Sequence, residues 1–186
     1  MVHNKNNIEL EIILTLIKNK THLRGIARTI NESHSTVLRK INELVKENIL
    51  DYKKEGKNNV FFIKTNLKAK NYVYSAEIYK LSKLLKKYPK FSIIFEDIKR
   101  SVPKGMIILF GSYAKGNPKP ESDIDIYVET HDNKIKNKIQ ELHSQISIKT
   151  GDFDINSLLI KEIIKNHIIV RGLEDFYERN RFFEET

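Results

Sequence analysis

The chain contains no cysteine and no tryptophan, and only two methionines and four prolines among its 186 residues. Without cysteine there is no disulfide scaffold, no cysteine-ligated zinc or iron–sulfur site and no thiol nucleophile. No apolar run approaches the roughly 18 residues that a membrane span requires. The polar residues 1–7 also lack the hydrophobic core of a secretory signal. These absences predict a cytoplasmic protein with no membrane partner.

Acidic residues are the scarcer charged class, 24 Asp and Glu against 33 Lys and Arg, which gives a net charge of +9. Residues 1–70 carry 14 basic and 7 acidic side chains, whereas residues 71–186 carry 19 and 17. A basic segment favours polyanionic partners such as nucleic acid or nucleotide phosphates. With 40% hydrophobic and 31% charged residues, the composition is that of a folded chain with one large domain or two small ones.

Apolar residues at helical spacing predict two short helices, over residues 10–17 and 23–30, with Thr21 as the N-cap of the second. A longer helix begins near residue 34. Two strand-like runs follow, residues 50–54 and 60–64, joined by a turn over residues 55–59 that contains Gly and Asn. This order of helices and hairpin resembles a winged helix-turn-helix domain, to which we assign residues 1–68.

The resemblance implies that the third helix enters the DNA major groove and that the hairpin contacts the phosphate backbone. Carried onto this sequence, the expected DNA contacts are Ser33, His34, Ser35, Thr36, Arg39, Lys40, Lys53, Lys54 and Lys57. Double-stranded DNA is therefore an expected partner. The alternative is a small helical domain used for docking or dimerisation, and the sequence leaves open whether the chain forms a homodimer.

Residues 69–102 read as connecting helices, and the pattern changes at the start of a second domain, residues 103–186. A buried strand over residues 106–110 ends at Gly111 and Ser112. In the next strand acidic and aliphatic residues alternate, so Asp123 and Asp125 project from the same face. Two anions so close repel each other unless a cation joins them, and Mg²⁺ commonly binds one or two carboxylates together with substrate phosphates.

Further residues are expected to complete this site. A glycine turn lets the backbone approach a phosphate closely, and Lys115 and Lys119 are placed to neutralise phosphate charge. A helix over residues 134–148 is expected to lead to a third strand, residues 153–159. That strand offers Asp154 as a third acid, with Asp152 as its alternative.

The Gly111–Ser112 pair, the Asp123-Ile124-Asp125 run ten residues later and the lone Asp154 resemble the DNA polymerase β nucleotidyltransferase superfamily. The segments Phe-Gly-Ser-Tyr-Ala-Lys-Gly (110–116) and Ser-Asp-Ile-Asp (122–125) are closest to its minimal branch. The resemblance implies an α+β fold in which the second domain has a small mixed sheet flanked by helices. Lysine stands at position 115, where many minimal members carry arginine.

The activity implied by the resemblance is transfer of a nucleoside monophosphate, AMP foremost, from a nucleoside triphosphate to a hydroxyl. Gly111, Ser112, Lys115 and Lys119 would bind the triphosphate. Two Mg²⁺ ions would be held by the catalytic acids, which are Asp123, Asp125 and Asp154. By analogy with minimal members that act as antitoxins, the acceptor would be a protein such as a toxin partner. The alternatives are a transcriptional regulator that senses nucleotide without turnover, and an antitoxin that represses its own operon.

Overall fold

The computed structural model describes residues 7–142 and 144–184. The chain divides into two compact units, Met1–Tyr79 with Phe183–Thr186 and Lys80–Phe182. Helices and two small sheets give an α+β fold. Among the described residues, none of the helices has the length and apolar character needed to cross a membrane.

The first unit is built from helices and a three-stranded antiparallel sheet of order β1-β3-β2. Its elements are α1 (Ile8–Lys18), β1 (Thr21–His22), α2 (Leu23–Ile30), α3 (His34–Lys46), β2 (Leu50–Glu55), β3 (Asn58–Ile63) and the start of α4 (Leu67–Lys87). The apolar stripes of the first three helices supply the core, where Ile12, Ile26 and Ile41 are fully buried.

Two local details of this unit differ from the sequence prediction. Thr21 does not cap α2, because it belongs to β1 and pairs with Phe61 of β3. His22 precedes α2 and makes no side-chain capping bond. The hairpin turn is also shorter than predicted, since β2 runs to Glu55 and β3 begins at residue 58. Gly56, with φ of +58°, allows this tight reversal.

The second unit contains a four-stranded sheet of order β6-β5-β4-β7, in which β5 and β6 are parallel and the other pairs antiparallel. After the end of α4, the elements are α5 (Lys90–Ser101), β4 (Ile107–Leu109), α6 (Gly111–Lys115), β5 (Ile124–Val128), α7 (Asn133–Leu142), β6 (Ile146–Thr150), α8 (Leu158–Lys165), β7 (Ile168–Arg171) and α9 (Leu173–Arg179).

One face of this sheet is covered by helices. Ile124, Ile126 and Val128 of β5 are buried in a core cluster that also contains Phe91 and Ile98 of α5. Burying side chains of this size stabilises the fold by about 1.5–3 kcal/mol each. The aliphatic positions of β5 are therefore fixed on the core side, and the alternate positions are left for the opposite face.

The predictions for residues 134–159 are partly wrong. The helix ends at Leu142, not at residue 148, because Ile146 and Ile148 are buried as alternate residues of β6. Residues 153–159 are not a strand. The Asn156 N–H donates to Asp154 Oδ1 at 2.9 Å, and the Ser157 side chain caps α8. Such local hydrogen bonds favour a turn and a helix start over extended backbone.

Arg171 at the end of β7 anchors the loop that leads into β4. Its guanidinium donates to the carbonyls of Gly105 (2.8 Å), Val102 (2.6 Å) and Lys104 (2.7 Å). Lysine cannot reproduce this planar fork. We expect Arg171→Lys to lower the free energy of unfolding by about 1.5–3 kcal/mol, measured by urea denaturation.

Arg100→Lys is the matched control, because Arg100 is 77% exposed and its only described ion pair, with Asp97, spans 3.8 Å. We expect this control to change the free energy of unfolding by less than about 0.5 kcal/mol. Equal losses in the two variants would contradict the anchoring role of Arg171.

Candidate functional site

The end of the β4–β5 pair brings Gly111 against Asp125. Leu109 pairs with Ile126, and the Phe110 N–H donates to the Asp125 carbonyl at 2.9 Å. Gly111 has φ of +69°, and a Cβ placed on it would clash with Asp125 Oδ2 and lie 3.0 Å from Asp125 Cγ. Position 111 therefore requires glycine for its backbone angle and for its lack of a side chain.

Asp125 is partly buried, and the charges of neighbouring side chains affect its carboxyl. Burial raises the pKa of its carboxyl, and the negative charge of Asp123 raises it further. A hydrogen bond with Ser147 and the positive charges of Lys149 and Lys115 act in the opposite direction. The cations and donors around Asp125 thus favour its ionised form, and burial and Asp123 disfavour it.

Strand β6 lies beside Asp125 on the outer side of β5. In the parallel register Asp125 pairs with Ser147, and Tyr127 pairs with Lys149. Paired residues of neighbouring strands project from the same face, so β6 presents a hydroxyl and an ammonium on the face that carries Asp125. Within residues 7–142 and 144–184, no group of three or more His, Cys, Asp or Glu side chains could hold a metal ion.

The two candidates for a third acid lie in the loop after β6. Asp154 is exposed, and its carboxylate accepts a hydrogen bond from the Asn156 N–H at 2.9 Å. Asp152 is 76% exposed and lies 2.9 Å from Nε2 of His131. Neither residue belongs to a strand. The catalytic role of Asp154 stays a prediction.

The residues expected to bind phosphate lie on α6 and the loop after it. Lys115 makes an ion pair with Glu162 of α8 at 2.7 Å, and this hydrogen bond lowers the pKa of Glu162. The backbone N–H of Lys119 donates to Ser122 Oγ at 2.8 Å, and Lys119 is exposed. Glu162 was not singled out in the sequence, because residues 153–159 were predicted as a strand and no helix was predicted after them.

In the first unit, the predicted DNA contacts on α3 already make local interactions. Ser33 Oγ donates to Thr36 Oγ1 at 2.8 Å and lies 3.1 Å from the hydroxyl of Ser35. Arg39 pairs with Glu43 at 2.8 Å. Lys40 pairs with Glu43 and Glu9, which raises its pKa. The serines and Thr36 thus define the start of α3, while Arg39 and Lys40 have acidic partners.

Two arginines that were not singled out in the sequence lie next to this region. Arg24 and Arg28 are exposed, one turn apart on α2, and they line a surface cavity of about 340 Å³ together with His34. Their spacing of four residues, off the apolar stripe of α2, is the signal that could have identified them. On the hairpin, Lys53, Lys54 and Lys57 are exposed.

Residues 96–181 match the family model described as Polymerase beta, Nucleotidyltransferase. This part of the chain is therefore similar to nucleotidyltransferase domains. A relative from Methanocaldococcus jannaschii named protein adenylyltransferase is 39% identical over 66 residues, which is 34% of this chain. The matched region spans 66% of that relative, just under two thirds of its length. No solved structure gives a significant match. The matches support nucleotidyl transfer as the general chemistry of the domain.

The contact between Gly111 and Asp125 predicts the result of a pair of alanine substitutions. Gly111→Ala and Gly116→Ala both place alanine at positive φ, but an added Cβ at Gly116 meets nothing within 4 Å. We expect each to lose about 1–2 kcal/mol of stability from the backbone angle. Only Gly111→Ala also displaces the Asp125 carboxylate, so for the triphosphate site that the sequence predicts we expect it alone to weaken Mg–ATP binding by at least about tenfold, or 1.4 kcal/mol.

Calorimetric titration of both variants with Mg–ATP measures this difference. Equal affinities for the two variants would show that the contact between Gly111 and Asp125 does not contribute to nucleotide binding.

Proposed function

We propose that the nucleotidyltransferase domain transfers a nucleoside monophosphate, with ATP as the foremost donor, to a hydroxyl group on a protein. The observation that carries this proposal is the contact between the Gly111 turn and the Asp125 carboxylate, with the charge of Asp123 acting on the same group. A turn without a side chain lets phosphates approach the backbone closely. The two carboxylates provide oxygen ligands for the cation that accompanies those phosphates.

The chemistry of these carboxylates suits a magnesium ion. Burial and the charge of Asp123 both disfavour the ionised form of Asp125, and a bound cation reverses that effect. We assign Asp123 and Asp125 as its ligands, with Asp154 as the further acid that the polymerase β resemblance implies. When bound, Mg²⁺ supplies neutralisation of the charge that develops on the transferring phosphoryl group.

The remaining residues of the site position the triphosphate. The backbone of Gly111 can approach phosphate oxygens closely, the Ser112 hydroxyl can donate to them, and Lys115 and Lys119 contribute positive charge. Lys115 is paired with Glu162, but both side chains are 43% exposed, and an exposed pair of this kind contributes little to stability. Phosphate oxygens can therefore compete with Glu162 for the Lys115 ammonium.

The proposed reaction is an in-line displacement. The acceptor oxygen forms a bond to the α-phosphorus while the bond to the bridging oxygen breaks, and pyrophosphate leaves. The acceptor's proton passes to a carboxylate, for which Asp154 is our candidate. The name of the Methanocaldococcus jannaschii relative, protein adenylyltransferase, supports a protein acceptor and an adenylyl donor. A toxin partner of the chain is one such acceptor.

Incubation with α-labelled ATP, Mg²⁺ and candidate protein acceptors tests the transfer. We expect Asp123→Asn/Asp125→Asn to reduce labelling by at least roughly 100-fold, since charge neutralisation of this kind is worth several kcal/mol of barrier. Glu174→Gln/Asp175→Asn is the matched control, because it also removes two acidic charges from exposed positions, on α9. Equal labelling by the wild-type chain and the Asp123/Asp125 variant would exclude enzymatic transfer.

We further propose that the first unit is a winged helix-turn-helix domain that binds double-stranded DNA. The element order α1-β1-α2-α3-β2-β3 and the sheet order β1-β3-β2 support this proposal. The net charge of residues 1–70 and the two arginines beside His34 add positive charge where a DNA backbone would lie. An antitoxin that represses its own operon would combine this binding with transfer.

The DNA proposal predicts a salt-dependent effect of the α2 arginines. We expect Arg24→Ala/Arg28→Ala to weaken binding to duplex DNA and to reduce the slope of log K against log salt by about 1.8, because each phosphate contact contributes about 0.9. Fluorescence anisotropy at several salt concentrations measures the slope. Lys134→Ala/Lys138→Ala removes the same charge from exposed positions on α7 and should leave the slope unchanged. Equal slopes for both variants would contradict the assignment.

A second candidate function is a transcriptional regulator whose second unit senses nucleotide without turning it over. The observation that favours it is that the described part of the chain has no group of three or more side chains that could together hold a metal ion. Nucleotide-dependent DNA affinity without pyrophosphate release would support the regulator. Release of pyrophosphate that depends on the acceptor would support the enzyme.

A further inference from the structure

The side of Asp125 that faces β6 is occupied by donor groups of the protein itself. Ser147, its register partner, is hydrogen-bonded to the Asp125 carboxylate. Lys149, two residues further along β6, lies close enough for its positive charge to act on the same carboxylate. Since residues two apart on a strand share a face, the hydroxyl and the ammonium both lie on the side of the sheet that carries Asp125.

A second divalent cation would need oxygen ligands at this place. A hydroxyl that donates its proton to Asp125 brings no negative charge, and the Lys149 ammonium repels a cation. The two predicted candidates for a third acid, Asp152 and Asp154, are exposed in the loop after β6. No three-ligand group occurs among the residues that the structure describes. The donor set therefore fits one ion between Asp123 and Asp125, and it does not fit the two ions that the resemblance implies.

We propose that the site binds one divalent cation with each nucleotide, and that Ser147 and Lys149 occupy the position of a second. The Ser147 hydroxyl uses one lone pair of the Asp125 carboxylate, and the other lone pairs of Asp125 and those of Asp123 are available to the single ion. Lys149 supplies positive charge where the second ion would otherwise supply it. This inference rests on the proposed nucleotide site, and it deepens that proposal by fixing the number of metal ions.

Counting bound Mn²⁺ by electron paramagnetic resonance tests the inference on the wild-type full chain. The probe is Mn²⁺ with α,β-methylene-ATP, an analogue that cannot release pyrophosphate, and calorimetry measures the bound analogue in parallel. We expect one Mn²⁺ per bound analogue. A count of two would overturn the inference and leave the proposed function standing. If the analogue does not bind in the presence of Mn²⁺, both the inference and the proposed function are wrong.

A pair of double variants tests whether Ser147 and Lys149 occupy the position of a second cation. We expect Ser147→Asp/Lys149→Gln to bind a second Mn²⁺, because it places a third carboxylate beside Asp125 and removes the ammonium. Ser147→Asn/Lys149→Gln carries the same change at Lys149 without the carboxylate and should remain at one ion. A count of one in both variants would contradict the placement. Thermal unfolding verifies that each variant is folded, and the wild-type count decides the number of ions independently of them.

Discussion

The hydrogen bond from the Phe110 N–H to the Asp125 carbonyl is the contact on which the candidate site depends. It closes the β4–β5 pair where β4 ends, so the next residue, Gly111, must turn directly over the side chain of Asp125. A backbone turn and a carboxylate are thereby held together by the sheet itself. The rigidity of a paired strand end suits a site that has to hold a charged ligand in fixed geometry.

The electrostatics of the site follow from this contact. Asp125 is partly buried because the turn and β6 lie beside it, and burial disfavours its charge. Ser147 and Lys149 of β6 and Lys115 of α6 offset that effect. Asp123, which precedes β5 and is exposed, adds a second negative charge nearby. A cationic ligand is therefore favoured between the two aspartates, and anionic phosphates are favoured toward the lysines.

The local signals at the Gly111 turn and at β5 predicted their structures well, whereas the alternation over residues 153–159 and the signals that depend on distant pairing did not. Glycine after a buried run and aspartates alternating with isoleucines identified the turn and β5 because both patterns lie within a few residues. Ile146 and Ile148 fit a strand as well as a helix end, and only the pairing with β5 decides between them. The position of Ser147 beside Asp125 also depends on distant pairing, because β6 pairs in parallel with β5 and α7 separates the two strands in the sequence. Arg24 and Arg28 were visible in the helical spacing of α2 but had no motif to mark them.

Strand β6 is an edge strand, with β5 as its one neighbour in the described sheet. Its buried residues, Ile146 and Ile148, hold it on the core, while Ser147 and Lys149 are not part of that core. Substitution of Ser147 or Lys149 therefore changes the packing of the core little. The chemistry beside Asp125 can diverge during evolution by one or two substitutions, whereas any side chain at Gly111 would meet the Asp125 carboxylate.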